Sequence, residues 1–255
     1  MKLYQIDFSP TGGTVRVADV ISKALEMPVS KIDLSEAATD FSAVSLEHED
    51  LAVIAVPSYG GRVPATATQR IEKINGNHAA CVIVCVYGNR AYEDTLVELN
   101  DIAEKSGFRV IAAIAAVAEH SILRQYASGR PDSEDEAELR RFCDRILEKL
   151  REKTSDFSAP QIPGSRPYKQ TGQGGLIPKA NSKCTGCGLC AEKCPTQAIS
   201  RNDLKLADSK KCISCMRCVA LCPQGARSVN KVMVSAAALA IKKACSTKKR
   251  NELYL

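Results

Sequence analysis

Two segments decide the C-terminal fold of this chain: KCTGCGLCAEKCPTQAI at residues 183–199 and KCISCMRCVALCPQGAR at residues 211–227. They align at a shift of 28 residues, and each has the spacing C-x₂-C-x₂-C-x₃-C-P. Eight of the twelve cysteines of the chain lie in them: Cys184, Cys187, Cys190, Cys194, Cys212, Cys215, Cys218 and Cys222. Two equal quartets at this density indicate metal ligands rather than core residues.

The spacing is typical of [4Fe–4S] clusters. Three cysteines two residues apart curl the backbone around one cube, and the proline turns the fourth cysteine toward a neighbouring cube. Zinc is the alternative, but zinc sites combine separated C-x₂₋₄-C pairs around one ion. Disulfides are disfavoured, because the N-terminal MKLYQIDFSP lacks a signal-peptide pattern. We therefore expect a cytoplasmic protein, in which thiols stay reduced.

Over about 50 residues this segment resembles the bacterial 2[4Fe–4S] ferredoxin module. In that module the fourth cysteine of each run serves the other cluster. The resemblance therefore implies one cluster on Cys184, Cys187, Cys190 and Cys222, and a second on Cys212, Cys215, Cys218 and Cys194.

The first part of the chain alternates apolar runs of strand length with amphipathic helices. Strands are predicted at 2–8, 29–34, 51–57, 79–88 and 108–118, and helices at 15–26, 64–74, 91–107 and 133–153. This alternation predicts an α/β fold, a doubly wound parallel sheet of five strands with helices on both faces. Ser133 and Glu136 fit a capping box at the start of the last helix.

Three loops follow predicted strands at the edge where open α/β sheets bind ligands. SPTGGT (9–14) runs from a strand into a helix, which is typical of an anion cradle. PSYGGRVP (57–64) and YGNRAYED (87–94) each carry tyrosine and glycine, which suit a flat ring. An ordinary tight turn, or a half-exposed loop tyrosine, is the alternative for each loop taken alone.

Residues 1–152 resemble flavodoxin, which implies FMN. On that resemblance the phosphate is bound by Ser9, Thr11, Gly12, Gly13 and Thr14, and the ring loops contribute Ser58, Tyr59, Gly60 and Gly61 on one side and Tyr87, Gly88, Asn89 and Tyr92 on the other. The chain lacks the tryptophan that flavodoxins often stack on the ring, and Arg62 and Arg90 occupy loops that are usually acidic. His120 is expected near the same crevice, either as a site residue or as a structural loop histidine.

The remaining segments set the domain plan. Residues 154–180 hold four prolines and four glycines and are predicted to be a linker between a domain at 1–153 and a ferredoxin domain at 181–230. A helix and a solvated basic tail are expected at 231–255. The formal charge of +6 is interpreted as counter-charge, since each cluster with its thiolates carries about −2 and a flavin phosphate about −2. Nucleic acid is therefore not expected as a partner. A membrane is not expected either, because no apolar run reaches the ~18 residues of a span.

As a whole the chain resembles the flavodoxin–ferredoxin fusion proteins of anaerobic bacteria and archaea. An electron-transfer protein that couples one-electron clusters to FMN is the leading hypothesis, serving a redox partner protein or a small-molecule acceptor. Two alternatives remain open. One is a flavin-dependent reductase of a small organic substrate; the other is a flavodoxin-like module without flavin that is used for binding, in which the clusters carry electrons or stabilise the structure.

Overall fold

The computed structural model describes residues 1–151, 159–170 and 175–255. Its main sheet contains five parallel strands in the order β2-β1-β3-β4-β5: β1 (Leu3–Asp7), β2 (Val29–Asp33), β3 (Leu51–Pro57), β4 (Ala80–Tyr87) and β5 (Arg109–Val117). The five predicted strands and their parallel pairing are confirmed. The order 2-1-3-4-5 is that of flavodoxin-like doubly wound sheets, with the switch point between β1 and β3.

Four helices cover the two faces of the sheet: α1 (Gly13–Ala24), α2 (Ala65–Ile71), α3 (Thr95–Lys105) and α4 (Ser133–Arg151). On one face, Ile21 of α1 and Leu139 of α4 pack with Val53 in one buried cluster. On the other face, Ile71 of α2 and Leu99 of α3 pack in a second cluster. Because β3 and β4 are buried on both faces, their sequences are continuous apolar runs rather than alternating ones.

The cap of α4 lies one residue earlier than predicted. Asp132 Oδ1 accepts hydrogen bonds from the backbone N–H groups of Glu134 and Asp135, both at 3.0 Å. The Asp135 carboxylate in turn accepts from Asp132 N at 2.9 Å. This reciprocal pair makes Asp132 and Asp135 the capping box, so the prediction of Ser133 and Glu136 is wrong.

A sixth strand, which no sequence pattern predicts, completes the sheet. β8 (Glu252–Tyr254) pairs antiparallel with β5, so the C-terminus returns to the first domain. The Asn251 side chain supports this return by accepting from Val117 N at 2.9 Å. The basic residues Lys242, Lys243 and Lys248 are exposed, as a solvated tail requires, but the residues after them form part of the sheet.

The cysteine-rich segment forms a small unit of its own. It contains a two-residue ladder of β6 (Lys179–Ala180) with β7 (Arg227–Ser228), and two short helices, α5 (Leu189–Glu192) and α6 (Arg217–Ala220). Helix α7 (Lys231–Ile241) then connects this unit to the C-terminal strand. Across the described residues, no helix is both long and apolar enough to cross a membrane.

The described part of the predicted linker is fastened to α3 and the residue before it. Asp94 accepts from the backbone N–H groups of Ser165 at 2.9 Å and Lys169 at 2.6 Å. Asp101 accepts from the side chains of Arg166, with Nε at 2.7 Å, and Tyr168. Residues 165–169 are therefore held against the first domain by these hydrogen bonds. Residues 154–158 and 171–174 of the predicted linker lie outside the described residues.

Candidate functional site

The two cysteine loops have the same backbone conformation. Positive φ angles occur at Gly186, Gly188 and Gln197, and again 28 residues later at Ser214, Met216 and Gly225. The helices repeat in the same way, since α5 spans 189–192 and α6 spans 217–220. Ser214 and Met216 adopt the left-handed region although they are not glycines. The loop conformation is therefore imposed by the motif, as binding of two similar groups requires.

Equivalent hydrogen bonds reach the fourth sulfur of each quartet. Ala198 N donates to Cys194 Sγ at 3.3 Å, and Ala226 N donates to Cys222 Sγ at 3.2 Å. Backbone N–H donors of this kind stabilise thiolate charge around iron–sulfur clusters. Within the described ranges no three His, Cys, Asp or Glu side chains converge closely enough to hold a single ion. In a cube each thiolate binds a different iron, so the sulfurs do not meet at one point.

Burial is the largest influence on the pKa values of the second quartet, which consists of Cys212, Cys215, Cys218 and Cys222. It raises the pKa of Cys215 to about 12 and that of Cys218 to about 11. Cys222 differs: despite some burial, backbone hydrogen bonds from Ala226 and its neighbours lower its pKa. Since iron binds thiolates, loading the quartets must release protons.

A cleft of about 1080 Å³ opens at the carboxyl ends of the parallel strands. Eight of the thirteen residues predicted to bind FMN line it: Thr11, Gly13, Thr14, Ser58, Tyr59, Gly60, Tyr87 and Gly88. They come from all three predicted loops. The structure thus brings the three loops together at the edge where doubly wound sheets bind ligands.

Five predicted residues do not line the cleft. Ser9 Oγ accepts from Val15 N at 2.9 Å and so supports the loop from beneath. Gly12 has φ +91° and forms the N-cap of α1. A Cβ on Gly61 would lie 2.0 Å from Glu93 Oε2, so Gly61 faces that side chain instead.

Asn89 and Tyr92 are the other two predicted residues that do not line the cleft, and their side chains bond the C-terminal segment. Asn89 Nδ2 donates to the carbonyl oxygens of Cys245 at 3.1 Å and Thr247 at 2.9 Å, while its Oδ1 accepts from Lys249 N at 3.0 Å. The Tyr92 hydroxyl donates to Glu252 Oε2 at 2.6 Å. Both side chains hold the C-terminal segment, a role that no local sequence signal indicates.

Tyr59 is positioned by a tight turn. Tyr59 and Arg62 exchange backbone hydrogen bonds of 3.0 and 3.3 Å around Gly60 and Gly61, whose φ angles are +64° and +89°. Positive φ at both central residues is the requirement of a type I′ turn, which explains the glycine pair. Burial raises the pKa of the Tyr59 hydroxyl well above its ordinary value, and the nearby Cys215 sulfur raises it further. The Tyr59 hydroxyl is therefore protonated, and the residue lies at the cleft close to Cys215.

The two arginines at the cleft are both paired. Arg62 forms a bidentate ion pair with Glu98, with Nε–Oε2 at 2.7 Å and Nη2–Oε1 at 2.8 Å, which raises the pKa of Arg62. Arg90 pairs with Glu93 at 2.7 Å. These carboxylates offset the positive charge that the sequence places in the ring loops. Glu98 was not predicted as a site residue, although an acid within the apolar stripe of α3 is a signal for a buried ion pair.

His120 lines the cleft, as expected, and its ring is fixed by the backbone. Its Nδ1 accepts from Ile122 N and Leu123 N, both at 3.2 Å. Burial, then the charge of Arg90, lowers the pKa of the imidazole. The ring is therefore neutral with its proton on Nε2. A Cβ on Gly88 would lie 2.6 Å from His120 Cβ, so glycine is needed for this close approach.

The opposite wall of the cleft comes from the cysteine-rich unit. Cys212, Ile213 and Ser214, the first residues of the second cysteine loop, line it, and Ile213 also packs against the core of the first domain. Polar contacts hold the two units together at this place. Glu36 accepts from Arg217 at 2.8 Å and Lys193 at 3.1 Å. The sequence did not indicate that the second quartet would close the cleft.

Comparison with known proteins assigns the cysteine-rich unit: residues 183–227 match the 4Fe-4S dicluster domain family. No curated protein sequence matches the chain. The N-terminal part is similar to a flavodoxin from the domain Archaea (14% identity, 59% of this chain and 99% of that one, TM-score 0.44) and to flavodoxin 1 of Bacillus cereus (18%, 58% and 98%, 0.45). It is also similar to rubredoxin oxygen:oxidoreductase of Desulfovibrio gigas (14%, 61% and 37%, 0.43). The order of the strands in the main sheet is that of flavodoxin-like α/β folds, and residues 183–227 are similar to the dicluster family.

Proposed function

We propose that this chain is an electron-transfer iron–sulfur flavoprotein that couples two [4Fe–4S] clusters to FMN. Bound clusters exchange one electron each, and bound flavin exchanges one or two, so that joining them converts between one-electron and two-electron chemistry. The observation that carries the proposal is the shared cleft. Thr11, Gly13 and Thr14 of the first loop line it, and Cys212 of the second quartet lies in its wall.

The residues of the cleft suit FMN. The open end of α1 directs backbone N–H groups toward the loop 11–14, where a phosphate would be stabilised. Thr11 lines the cleft and is exposed, so this loop is open to a ligand. Tyr59 and Tyr87 supply aromatic surface beside it. The volume of about 1080 Å³ lies just above the range of about 300–1,000 Å³ for cofactor sites, so the cleft has room for FMN.

The cysteine loops suit two clusters. Their conformations repeat at a shift of 28 residues, and each fourth sulfur accepts one backbone hydrogen bond. By the pattern of the dicluster family, Cys184, Cys187, Cys190 and Cys222 would hold the first cluster, and Cys212, Cys215, Cys218 and Cys194 the second. The contact of Cys212 and Tyr59 with the cleft makes the second cluster the neighbour of the flavin. We assign this function to the cytoplasm, where thiols stay reduced.

Anaerobic reconstitution tests the proposal. We expect about eight irons and eight labile sulfides per chain, together with one FMN, and reduction of the flavin when only the clusters are supplied with electrons. Riboflavin should bind far more weakly than FMN, because it lacks the phosphate. Thr11→Asp, at an exposed position, should weaken FMN binding but not riboflavin binding. A protein that binds flavin but no iron, or iron but no flavin, would contradict the proposal.

A flavin-dependent reductase of a small organic molecule is the second candidate, because His120 and Arg90 also line the cleft. His120 carries its proton on Nε2, so it is suited to donate a hydrogen bond to a polar substrate. Under this alternative, reduced protein should be reoxidised by a specific organic acceptor with saturation kinetics, and His120→Gln should reduce that rate alone. An electron carrier should instead pass electrons to protein acceptors with no effect of His120→Gln.

A further inference from the structure

The two cysteine loops are equivalent in sequence but lie in opposite surroundings. In the second loop, Ile213 packs on the first domain and the sulfur of Cys215 is buried. The matching positions of the first loop, Thr185 and Cys187, are both exposed. The 28-residue repeat thus provides an internal comparison. One loop is covered by the flavin domain, and the other faces solvent.

The exposed loop is surrounded by positive charge. Lys183 directly precedes its first cysteine. Lys179 and Lys205 lie close to the same loop, because Arg227 donates to Cys190 Sγ and also to the carbonyl oxygens of Pro178 and Leu204, the residues directly before these two lysines. All three lysines are exposed. Residues 179–228 contain nine Lys or Arg and three Asp or Glu, a net charge of +6 before cofactors. Two clusters at about −2 each leave this unit positive.

We propose that the surface around Lys179, Lys183, Cys187 and Lys205 is the docking site of a small acidic iron–sulfur or flavin electron carrier. This inference rests on the proposed function and adds the surface at which electrons enter or leave the chain. Charge complementarity selects the partner, since a basic surface raises the association rate of an acidic protein and lowers that of a basic one. One electron crosses per encounter. The donor protein is oxidised by one electron, the cluster held by the first loop is reduced by one, and no bond forms or breaks.

The repeat supplies a matched pair of variants. Lys183 and Lys211 are both exposed and both directly precede the first cysteine of their loops, so Lys183→Glu and Lys211→Glu change the net charge equally. The probe is a small acidic flavodoxin, chemically reduced to its hydroquinone and mixed anaerobically with the oxidised holoprotein, because its flavin spectrum is distinct from that of the clusters. The readout is the second-order rate of cluster bleaching at several salt concentrations. Dithionite reduction and the cluster spectrum control for intact cofactors.

We expect the wild-type rate to fall steeply with salt. At low salt Lys183→Glu should slow the reaction at least tenfold, and Lys211→Glu less than about threefold. Equal slowing by both variants, or a rate independent of salt, would overturn the docking site. The docking site would also be overturned if Lys183→Glu lost binding to a DNA duplex but kept the wild-type rate of electron transfer, because the lysines would then bind nucleic acid.

Failure of the docking site and failure of the proposed function give different results. Cluster bleaching requires no flavin bound to this chain, so the comparison of the lysine variants holds even if electrons never reach FMN. Flavin reduced normally through the clusters, with equal donor rates for both variants, rejects the docking site alone. A chain that assembles no clusters rejects both.

Discussion

Arg227 lies with its Nη1 3.6 Å from Cys190 Sγ, in the middle of the cysteine-rich unit. Its side chain is buried, and Nη2 donates to Pro178 O at 3.1 Å. Burial raises the pKa of Cys218, and the same guanidinium lowers it by a smaller amount. One buried cation therefore acts on a cysteine of each loop. The position equivalent to Arg227 in the first loop is the apolar Ile199, so this charge is not duplicated.

Removing Arg227 should make the clusters harder to reduce, because a reduced cluster carries one more negative charge and gains more from a nearby cation. For Arg227→Met we expect the cluster midpoint potential to fall by roughly 50 mV or more, which is about a tenfold change for one electron. An EPR-monitored anaerobic redox titration measures it. Arg227→Lys, which keeps the charge but loses the guanidinium fork, should shift less.

Arg201→Met is the matched control for this prediction. Arg201 belongs to the same unit but is exposed and pairs with Glu192 at 3.5 Å. Solvent screens such a charge, so its loss should change the potential by only a few millivolts. Equal shifts in the two variants would mean that net charge alone, rather than the buried position of Arg227, sets the potential.

Local patterns explain why much of this molecule can be predicted from sequence. The cysteine spacing, the apolar runs of β3 and β4, and the loop 9–14 are each contained within about ten residues. Strand β8 is different: three residues pair with β5 more than a hundred positions earlier, and nothing in ELY distinguishes a strand from a tail. The hydrogen bonds of Asn89 and Tyr92 go to that strand and the residues just before it, so no local pattern around either side chain predicts them.

The wall formed by Cys212 and Ser214 depends on long-range geometry in the same way. Both quartets have the same motif, so sequence alone cannot tell which one faces the cleft. The difference comes from surrounding residues such as Ile213, which packs on the first domain, whereas the matching Thr185 is exposed. Glu36, which binds Arg217 across the boundary, lies in an ordinary loop after β2.

Gly88→Ala should disrupt the ring loop by steric conflict with His120. The added Cβ would lie 2.6 Å from His120 Cβ and 2.7 Å from Cδ2. Overpacking of this kind costs about 1–3 kcal/mol, so FMN binding measured by fluorescence quenching should weaken about tenfold or more. His120→Gly in the same chain removes both clashing atoms. The double variant should bind FMN as His120→Gly alone does, and a loss that persists would show that the Gly88 backbone itself contacts the cofactor.

The stability of the first domain should decrease from pH 5 to pH 7.5 through Asp7. Burial, only partly offset by a hydrogen bond from Gln5, raises the pKa of Asp7 from 3.8 to about 6. The unfolded chain ionises first, so the folded state loses about 3 kcal/mol of relative stability in total as pH rises from about 4 to above 6, and roughly half of that loss falls between pH 5 and pH 7.5. Asp7→Asn avoids the ionisation and keeps an acceptor for Gln5. Its advantage in urea unfolding should grow from pH 5 to pH 7.5.

Asp40→Asn gives the opposite sign and serves as the control for this pH dependence. Hydrogen bonds from the Ser42 hydroxyl and backbone lower the pKa of Asp40 on an exposed turn. Its carboxylate therefore favours the folded state at neutral pH, and the asparagine variant should gain nothing there. A stability difference for Asp7→Asn that is independent of pH would rule out ionisation as its cause.

Asn89→Ala should release the C-terminal strand. The side chain makes three hydrogen bonds to the backbone of residues 245–249, at 2.9 to 3.1 Å. Their loss costs the docked tail about 2–4 kcal/mol, since buried backbone groups are left unpaired. Amide exchange at residues 252–254 should accelerate, and trypsin should cleave sooner after Lys248 and Lys249. Asn100→Ala, at an equally buried site with one 3.4 Å hydrogen bond, is the control and should leave both rates unchanged. Unaltered exchange in Asn89→Ala would mean that the pairing of β8 with β5 holds the tail without Asn89.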